Sequence, residues 1–417
     1  MVRSIGQLVL LVALLGFSGA VESRAAGANP PLIVLSIDGF RADYFDRGLT
    51  PALAGLAAAG VHARAMRPSF PSVTDPNHYT LMTGLYPNHH GIVDNTMVDP
   101  AMPGMAFGGP HTAGTDSDPR WWNQATPLWV SAERQGLKTA TSQWPGDEAE
   151  VRGVPASYRQ PPTPAHGPAP SMDQQVDTVL GWLDLPAGQR PALIRLHFGA
   201  VDTAGHLFGP DSAQVNAAIV KVDGEVSRLV AGLKARNLYD AVNLVVVSDH
   251  GMATISPTSI IYLDDLLDLK TVVVTTYGAE GGVNALPGHE AEVEKVLLAP
   301  REHMQCWRRR DIPARLHYGR NPRVPAIFCL ADLGWTIVTR EAAAYYPLLH
   351  GNHGYDPAEP TMAALFLAHG PAFKSGVTLP PFDNVDVYPM LAKLVGVRPE
   401  PNDGRLADIA PALRSGF

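Results

Sequence analysis

The chain has 417 residues, 46% of them hydrophobic and 17% charged, with 39 Gly, 38 Pro and a formal net charge of −8. That composition excludes a disordered or fibrous polymer and describes a loop-rich globular protein able to bury a large core. The acidic balance, with a pI near 6.0, argues against a surface that tracks a nucleic-acid polymer; a small anionic substrate stays compatible, because bound metal ions reverse a local field.

Residues 1–26 read as a secretory signal. Arg3 supplies the positive start, the Leu8 to Phe17 run is too short to span a bilayer, and Ser18-Gly19-Ala20 offers a small-residue cleavage site, with Ala25-Ala26 as a second option. A retained anchor is the alternative. No later run is long and apolar enough for a membrane helix, so the expected location is periplasmic or secreted, with no stable membrane span after cleavage. Cys306 and Cys329 are the only cysteines. In an oxidising compartment they can pair; two buried thiols are the other reading.

Leu32 to Ile37 (LIVLSI) is a continuous aliphatic run, the pattern of a strand covered on both faces. Asp38 follows it, where open α/β sheets gather ligands. Thr50 to Gly60 predicts a helix with Thr50 as N-cap, Pro51 at the first helical position and Gly60 past its end. Strand followed by helix is the doubly wound order. From Pro68 to Asn95 the chain reads PSFPSVTDPNHYTLMTGLYPNHHGIVDN. This places the Thr74 hydroxyl before an Asp75-Pro76 turn, and a helix from His78 to Thr83 would aim its N-terminus at Thr74 and favour a phosphate there. Pro100 to Trp121 and Arg159 to Pro170 lack periodicity and read as loops. Helices are expected over Thr126 to Gln135, Met172 to Leu183 and Gln214 to Leu233, and strands over Lys138 to Ser142, Ala192 to Phe198 and Asn243 to Val247. Pro257 to His350 is mixed, with a strand over Thr271 to Thr275 and a helix over Glu290 to Leu298. A core strand over Met362 to Leu367 and a helix over Asp386 to Leu394 close the chain. The expected division is a signal peptide (1–26), the first part of a catalytic α/β domain (27–256), an inserted α+β subdomain (257–350) and completion of the catalytic domain (351–417).

Asp38, Thr74, the Asp202 to His206 segment and Asp249-His250 lie at strand ends or in loops, and Asn352 to Asp356 joins them after the insertion. Three residues separate Asp202 from His206, so one helical turn or a tight loop aims both at one ion. Carboxylate oxygen and imidazole nitrogen suit zinc in a hydrolytic site with open positions. Two such clusters suggest two metals roughly 4 Å apart, clamping the attacking and leaving oxygens of an in-line displacement. Thr74 then attacks phosphorus to give a covalent phospho-threonine, and Asn95 donates an N–H to a phosphoryl oxygen. Any one of these residues taken alone reads as a turn former or a packing residue; their recurrence at successive strand ends carries the metal reading.

At these residues the chain resembles the nucleotide pyrophosphatase/phosphodiesterase family of the alkaline phosphatase superfamily. The resemblance runs through IVLSIDGFRADY at Ile33 to Tyr44, the Thr74 to Met97 stretch, WPG at Trp144, VDTAGHLFGP at Val201 to Pro210, VVVSDHGM at Val245 to Met252 and HGYD at His353 to Asp356. It implies an alkaline-phosphatase-like α/β fold, a mixed central sheet with helices on both faces. It implies one zinc on Asp38, Thr74, Asp249 and His250, a second on Asp202, His206 and His353, and hydrolysis of small-molecule phosphodiesters or pyrophosphates, such as nucleotide derivatives, by an expected monomer. The departures bear on substrate. Nucleotide-cleaving relatives place a base-stacking aromatic directly after the nucleophile, where this chain has Asp75; a second aromatic position falls at Pro162, with Tyr158 near. Base stacking is worth about 1–3 kcal/mol. Asp75 and Tyr158 are therefore expected at the substrate, and Asp75 would repel an anionic leaving group or attract a cationic one such as choline. Choline or lipid-derived diesters, phosphomonoesters and phosphonates are the alternative substrates, and a catalytically silent metal-binding protein is the remaining alternative.

Overall fold

The computed structural model describes residues 29–108, 116–160, 170–345 and 349–417. The 1–26 signal expectation and Pro162 lie outside the described residues. β1 (Leu32–Ile37) occupies the middle of the main sheet with all six side chains buried. Successive residues of a strand face opposite sides, so Ile33, Leu35 and Ile37 enter one core while Leu32 and Val34 enter the other. That two-sided burial is the physical meaning of the unbroken apolar run. Its one polar residue, Ser36, is bonded to His78 Nε2 at 2.9 Å.

The remaining strands of this sheet are β2 (Val61–Ala63), β3 (Thr139–Ser142), β4 (Tyr158–Arg159), β5 (Leu193–Phe198), β6 (Asn243–Val247), β7 (Phe366–His369) and β8 (Val377–Leu379), in the spatial order β8-β2-β7-β6-β1-β5-β3-β4. β1 runs parallel to both neighbours, with Ile37 opposite Phe198 and Ser36 opposite Val247. The carboxyl ends of β5, β1 and β6 therefore stop side by side. β7 runs antiparallel to β6 and to β2, which makes the sheet mixed. It starts later than the Met362 to Leu367 expectation, because Pro360–Met362 forms a 3-10 turn.

Helices cover both faces. α1 (Pro51–Ala59) and α2 (Thr74–Thr83) lie on opposite sides, and α3 (Met172–Leu183), α4 (Ala200–Phe208) and α5 (Ala213–Ala235) join α1. α6 (Val387–Val395) packs beside α2. Two local expectations are corrected. Thr50 makes no side-chain cap on α1; the Asp223 carboxylate of α5 accepts from Ala52 N at 3.0 Å and Leu53 N at 2.9 Å instead. A capping bond of this kind contributes about 1 kcal/mol, and here it also ties two helices together. α2 begins at Thr74 itself, not at His78, so Asp75-Pro76 is the first helical turn. Proline is tolerated there because N–H groups of a first turn have no intrahelical acceptor.

Four antiparallel strands form a second sheet in the order Val272–Thr276, Glu280–Ala285, Ile327–Ala331, Met304–Arg308, with the helix Glu290–Leu297 packed on it. Cys306 and Cys329 face each other on adjacent strands and are joined as a disulfide. Ala253–Thr254 pairs antiparallel with Gly351–Asn352, so the chain leaves for this region and returns from it at neighbouring points. Among the described residues no helix is long and apolar enough to cross a membrane.

Candidate metal centre

Asp38 follows β1, Asp249 and His250 follow β6, and Asp202 lies in α4 just after β5. The adjacency of the three strands brings these side chains to one edge. Gly39 permits the closest approach: its φ of +64° is left-handed, and a Cβ there would sit 2.9 Å from Asp202 Cα, so a larger residue would drive the two strand ends apart. Asp202 and His206 are four positions apart on α4, on one face, with His206 Nε2 3.4 Å from Asp202 Oδ1. His353, on the returning chain, places its Nε2 3.6 Å from the same oxygen. Asp38, Asp249 and His250 form a second group, and in both groups all ligand atoms lie within 4.8 Å of one another. Thr74 Oγ1 is 3.2 Å from His250 Nε2, at the first residue of α2.

The hydrogen bonds decide which atoms face inward. His206 Nδ1 lies 2.9 Å from Gly351 O, His250 Nδ1 2.9 Å from Gly251 O, and His353 Nδ1 3.0 Å from Ser72 O. A carbonyl only accepts, so each Nδ1 carries the proton and each Nε2 presents a lone pair to the site. Nε2 of His206 and Nε2 of His353 are 3.1 Å apart, two acceptors facing each other. The carboxylates follow the same rule. Asp38 Oδ2 accepts from His197 Nε2 at 2.9 Å and Asp249 Oδ1 from Gly39 N at 3.2 Å, while Asp38 Oδ1, Asp249 Oδ2 and Asp202 Oδ1 are buried without a donor. Buried acceptors that converge with no donor fit divalent cations, since their desolvation is otherwise uncompensated.

The electrostatics agree. Burial and then the Asp249 charge raise the Asp38 carboxyl well above its usual range, and burial raises Asp202. Burial opposes ionisation of Asp249 as well; His250 and His78 hold that carboxyl low only where they carry a positive charge, and with the His250 Nε2 unprotonated a cation has to take that role. Among the described residues the ion partners of these three acids are histidines, with no Lys or Arg. A site with three acids and no fixed cation is one whose charge balance calls for metal.

Asn95 accepts at Oδ1 from the Asp75 backbone N–H at 2.8 Å, which leaves its NH2 as the donating end beside Thr74. The Asp75 side chain is part-exposed; burial, then the charge of Asp116, pushes its carboxyl up to about 7. The structure does not bring Tyr158 to this site: its hydroxyl donates to Gln189 O at 2.8 Å and its ring packs on the α3–α5 side of the sheet.

Sequence reasoning passed over His78 and His197. His78 bonds Thr74 O at 2.9 Å through Nδ1 and Ser36 through Nε2, with its ring edge-on to Trp144. Although Asp38, His78 and His197 also cluster, both His78 nitrogens already have partners, so this trio serves as a brace. Asn77 braces the approach to Thr74 from the other side, donating to Pro71 O at 3.0 Å and Val73 O at 2.8 Å. The position of His197 on a strand ending at the site was the only available signal.

A cavity of about 570 Å³ opens from the Asp202–His206–His353 group. Asn95 lies in its wall, whereas Asp38, Thr74, Asp249 and His250 do not line it. A smaller, polar cavity of about 180 Å³ lies near Trp144, Asp116 and Arg159.

Residues 32–356 match the family model for type I phosphodiesterase / nucleotide pyrophosphatase. An uncharacterized pyrophosphatase/phosphodiesterase of Schizosaccharomyces pombe is 38% identical over 398 residues, covering 92% of this chain and 80% of the yeast protein. Ectonucleotide pyrophosphatase/phosphodiesterase family member 3 of Bos taurus is 35% identical over 93% of this chain and 44% of its own length. A venom phosphodiesterase of Macrovipera lebetinus is 34% identical over 96% of this chain and 47% of its own. The chain thus spans about half the length of these last two relatives. Murine ectonucleotide pyrophosphatase / phosphodiesterase 5, solved as an inactive threonine-to-alanine form in complex with AMP, superposes with a TM-score of 0.86 at 32% identity, over 92% of this chain and 100% of that one. The human protein of the same name gives 0.87 at 31% identity, with the same coverage. Fold, strand-end geometry and similarity over most of the chain agree: this protein belongs to the type I phosphodiesterase / nucleotide pyrophosphatase family.

Proposed function

We propose that the protein is a two-zinc hydrolase of small organic phosphodiesters, nucleotide derivatives among them, acting in the periplasm or outside the cell. The observation that carries this reading is the convergence of three donorless buried carboxylate oxygens with the inward Nε2 atoms of His206, His250 and His353, and Thr74 Oγ1 at their edge. Asp38, Thr74, Asp249 and His250 would hold one ion, and Asp202, His206 and His353 the other. When bound, the two ions would acidify the Thr74 hydroxyl and offset charge on the departing oxygen.

In this reading Thr74 Oγ gives up its proton to solvent and forms a bond to phosphorus as the P–O bond to the leaving group breaks, and the departing oxygen takes up a proton from solvent, so the proton count is unchanged. A water then forms the new P–O bond, the Thr74–phosphorus bond breaks, and Thr74 recovers its proton as the monoester leaves. Asn95, fixed through Oδ1, turns its NH2 to a phosphoryl oxygen whose charge grows in the transition state. The inactive threonine-to-alanine form of the murine relative supports a threonine nucleophile, and its AMP supports nucleotide-type substrates. We read 257–350 as an inserted α+β subdomain, supported by the paired ends at Ala253–Thr254 and Gly351–Asn352.

The test is direct. Zinc-loaded protein is mixed with bis(p-nitrophenyl) phosphate, quenched in acid within one turnover, and the Thr74 peptide is weighed. A p-nitrophenyl phosphate adduct on Thr74 is expected. Turnover without that adduct, together with a Thr74→Ala variant within tenfold of the parent, would remove the covalent mechanism.

A further inference from the structure

We infer that the cavity opening from the Asp202–His206–His353 group is the leaving-group chamber, and that it takes an uncharged alcohol with an apolar body in preference to pyrophosphate. This rests on the proposed diesterase reading, because it uses the position of the nucleophile. In an in-line displacement the attacking and leaving oxygens lie on opposite sides of phosphorus. Thr74 belongs to the Asp38–Asp249–His250 side. The cavity is lined by the other group and by Asn95, and by none of the first. The group that departs therefore enters this space, and the group retained on Thr74 does not.

Its walls select by polarity. Leu207, Ile255, Ile260, Val338 and Leu349 supply apolar surface, and Leu207 with Phe208 continues that surface outward, 39% and 49% exposed. Among the described lining residues there is no Lys or Arg. Besides Asp202, the carboxyl groups among the described lining residues are Asp94 and Glu280, both pushed above the usual carboxylate range by burial. Asp94 and Glu280 are 4% and 3% exposed, and each has one oxygen with no donor. The ion proposed on Asp202, His206 and His353 would offset charge only at the departing oxygen; the further negative charges of a pyrophosphate would meet apolar wall and carboxyl groups, with no cationic side chain among the described lining residues. An aryl or alkyl alcohol would exchange water for matching surface. A volume of about 570 Å³ falls within the range of sites that enclose a drug-sized ligand.

The experiment holds the retained group constant. The zinc-loaded full-length protein is given ATP, the phenyl ester of AMP and the 2-naphthyl ester of AMP, with bis(p-nitrophenyl) phosphate as a general diester. The naphthyl ester is expected to exceed the phenyl ester roughly tenfold in kcat/KM, in line with the added apolar area, and both to exceed ATP. Ile260→Lys should invert the order, raising ATP and depressing the naphthyl ester; Leu207→Lys, on the exposed rim, is the second variant should the first not fold. ATP as the best parent substrate, or a naphthyl ester no better than phenyl, overturns the inference. No turnover of bis(p-nitrophenyl) phosphate by zinc-replete protein would instead remove the underlying diesterase reading.

Discussion

At the carboxyl edge of the main sheet five of the converging side chains are held at one end and aimed with the other. His206, His250 and His353 are each anchored by a backbone carbonyl, and Asp38 and Asp249 each have one oxygen bound and one without a donor. The adjoining cavity is built otherwise. Its apolar walls come from the end of α4 and from short pieces around the second sheet, and side chains such as Leu207, Ile255, Ile260, Val338 and Leu349 have no polar atom by which to be anchored. Reacting groups lose rate when misplaced by about an ångström, whereas an apolar wall tolerates exchange of side chains of similar volume. The rigid edge fixes the reaction, and the looser wall is where a substrate preference can change while the reaction stays.

The largest effect expected from breaking the rigid side is at Thr74. Thr74→Ala should lower kcat roughly 10⁴-fold, as loss of a nucleophile does, with unchanged thermal unfolding and two zinc ions still bound by metal analysis. Asn95→Ala should lower kcat about 10²–10³-fold with little change in KM, the pattern of a donor used in the transition state. Equal loss in binding and turnover would instead mean that Asn95 only positions the Asp75 backbone, whose N–H it accepts at 2.8 Å.

The same contrast explains what the sequence revealed. Runs such as LIVLSI and NLVVV are buried on both faces, and the strands they predicted, Leu32–Ile37 and Asn243–Val247, formed with those bounds. Asp38, Asp202 and Asp249 were legible because carboxylates recur past successive runs of this kind, although each one alone reads as a turn former. His197 was not, because a histidine inside a strand looks like any other interior position until β1 and β5 are seen to pair, with His197 opposite Ser36. Asp223 was equally hidden, since capping α1 from α5 depends on packing between helices distant in sequence. Tyr158 was singled out for its nearness in sequence to the position of Pro162, but strand pairing turned its ring to the helix side. The cavity walls carry no periodic signal, coming from single residues of many short segments.

His197 gives the next effect in size. Its Nε2–H to Asp38 Oδ2 fixes which oxygen of Asp38 turns toward His250. His197→Leu is expected to weaken zinc retention about 10–100-fold in competition with a chelator, the usual loss when a partner of a metal ligand is removed. His197→Gln keeps a donor at similar reach and should recover most of that loss. Equal loss in both variants would assign His197 to packing alone.

The smallest effect on chemistry is expected from the second sheet. The Cys306–Cys329 bond closes a loop of sequence separation 23, and chain entropy makes such a cross-link worth about 3 kcal/mol. Cys306→Ala with Cys329→Ala should therefore lower the urea midpoint clearly. The edge that gathers Asp38, Asp202, Asp249 and the three histidines shares no strand with this sheet, so zinc content and turnover of bis(p-nitrophenyl) phosphate should stay within about twofold of the parent under native conditions, because distant sites add nearly independently. If zinc were lost along with the disulfide, the two regions would unfold as one unit, and the loose wall would have to count as part of what holds His353 in place.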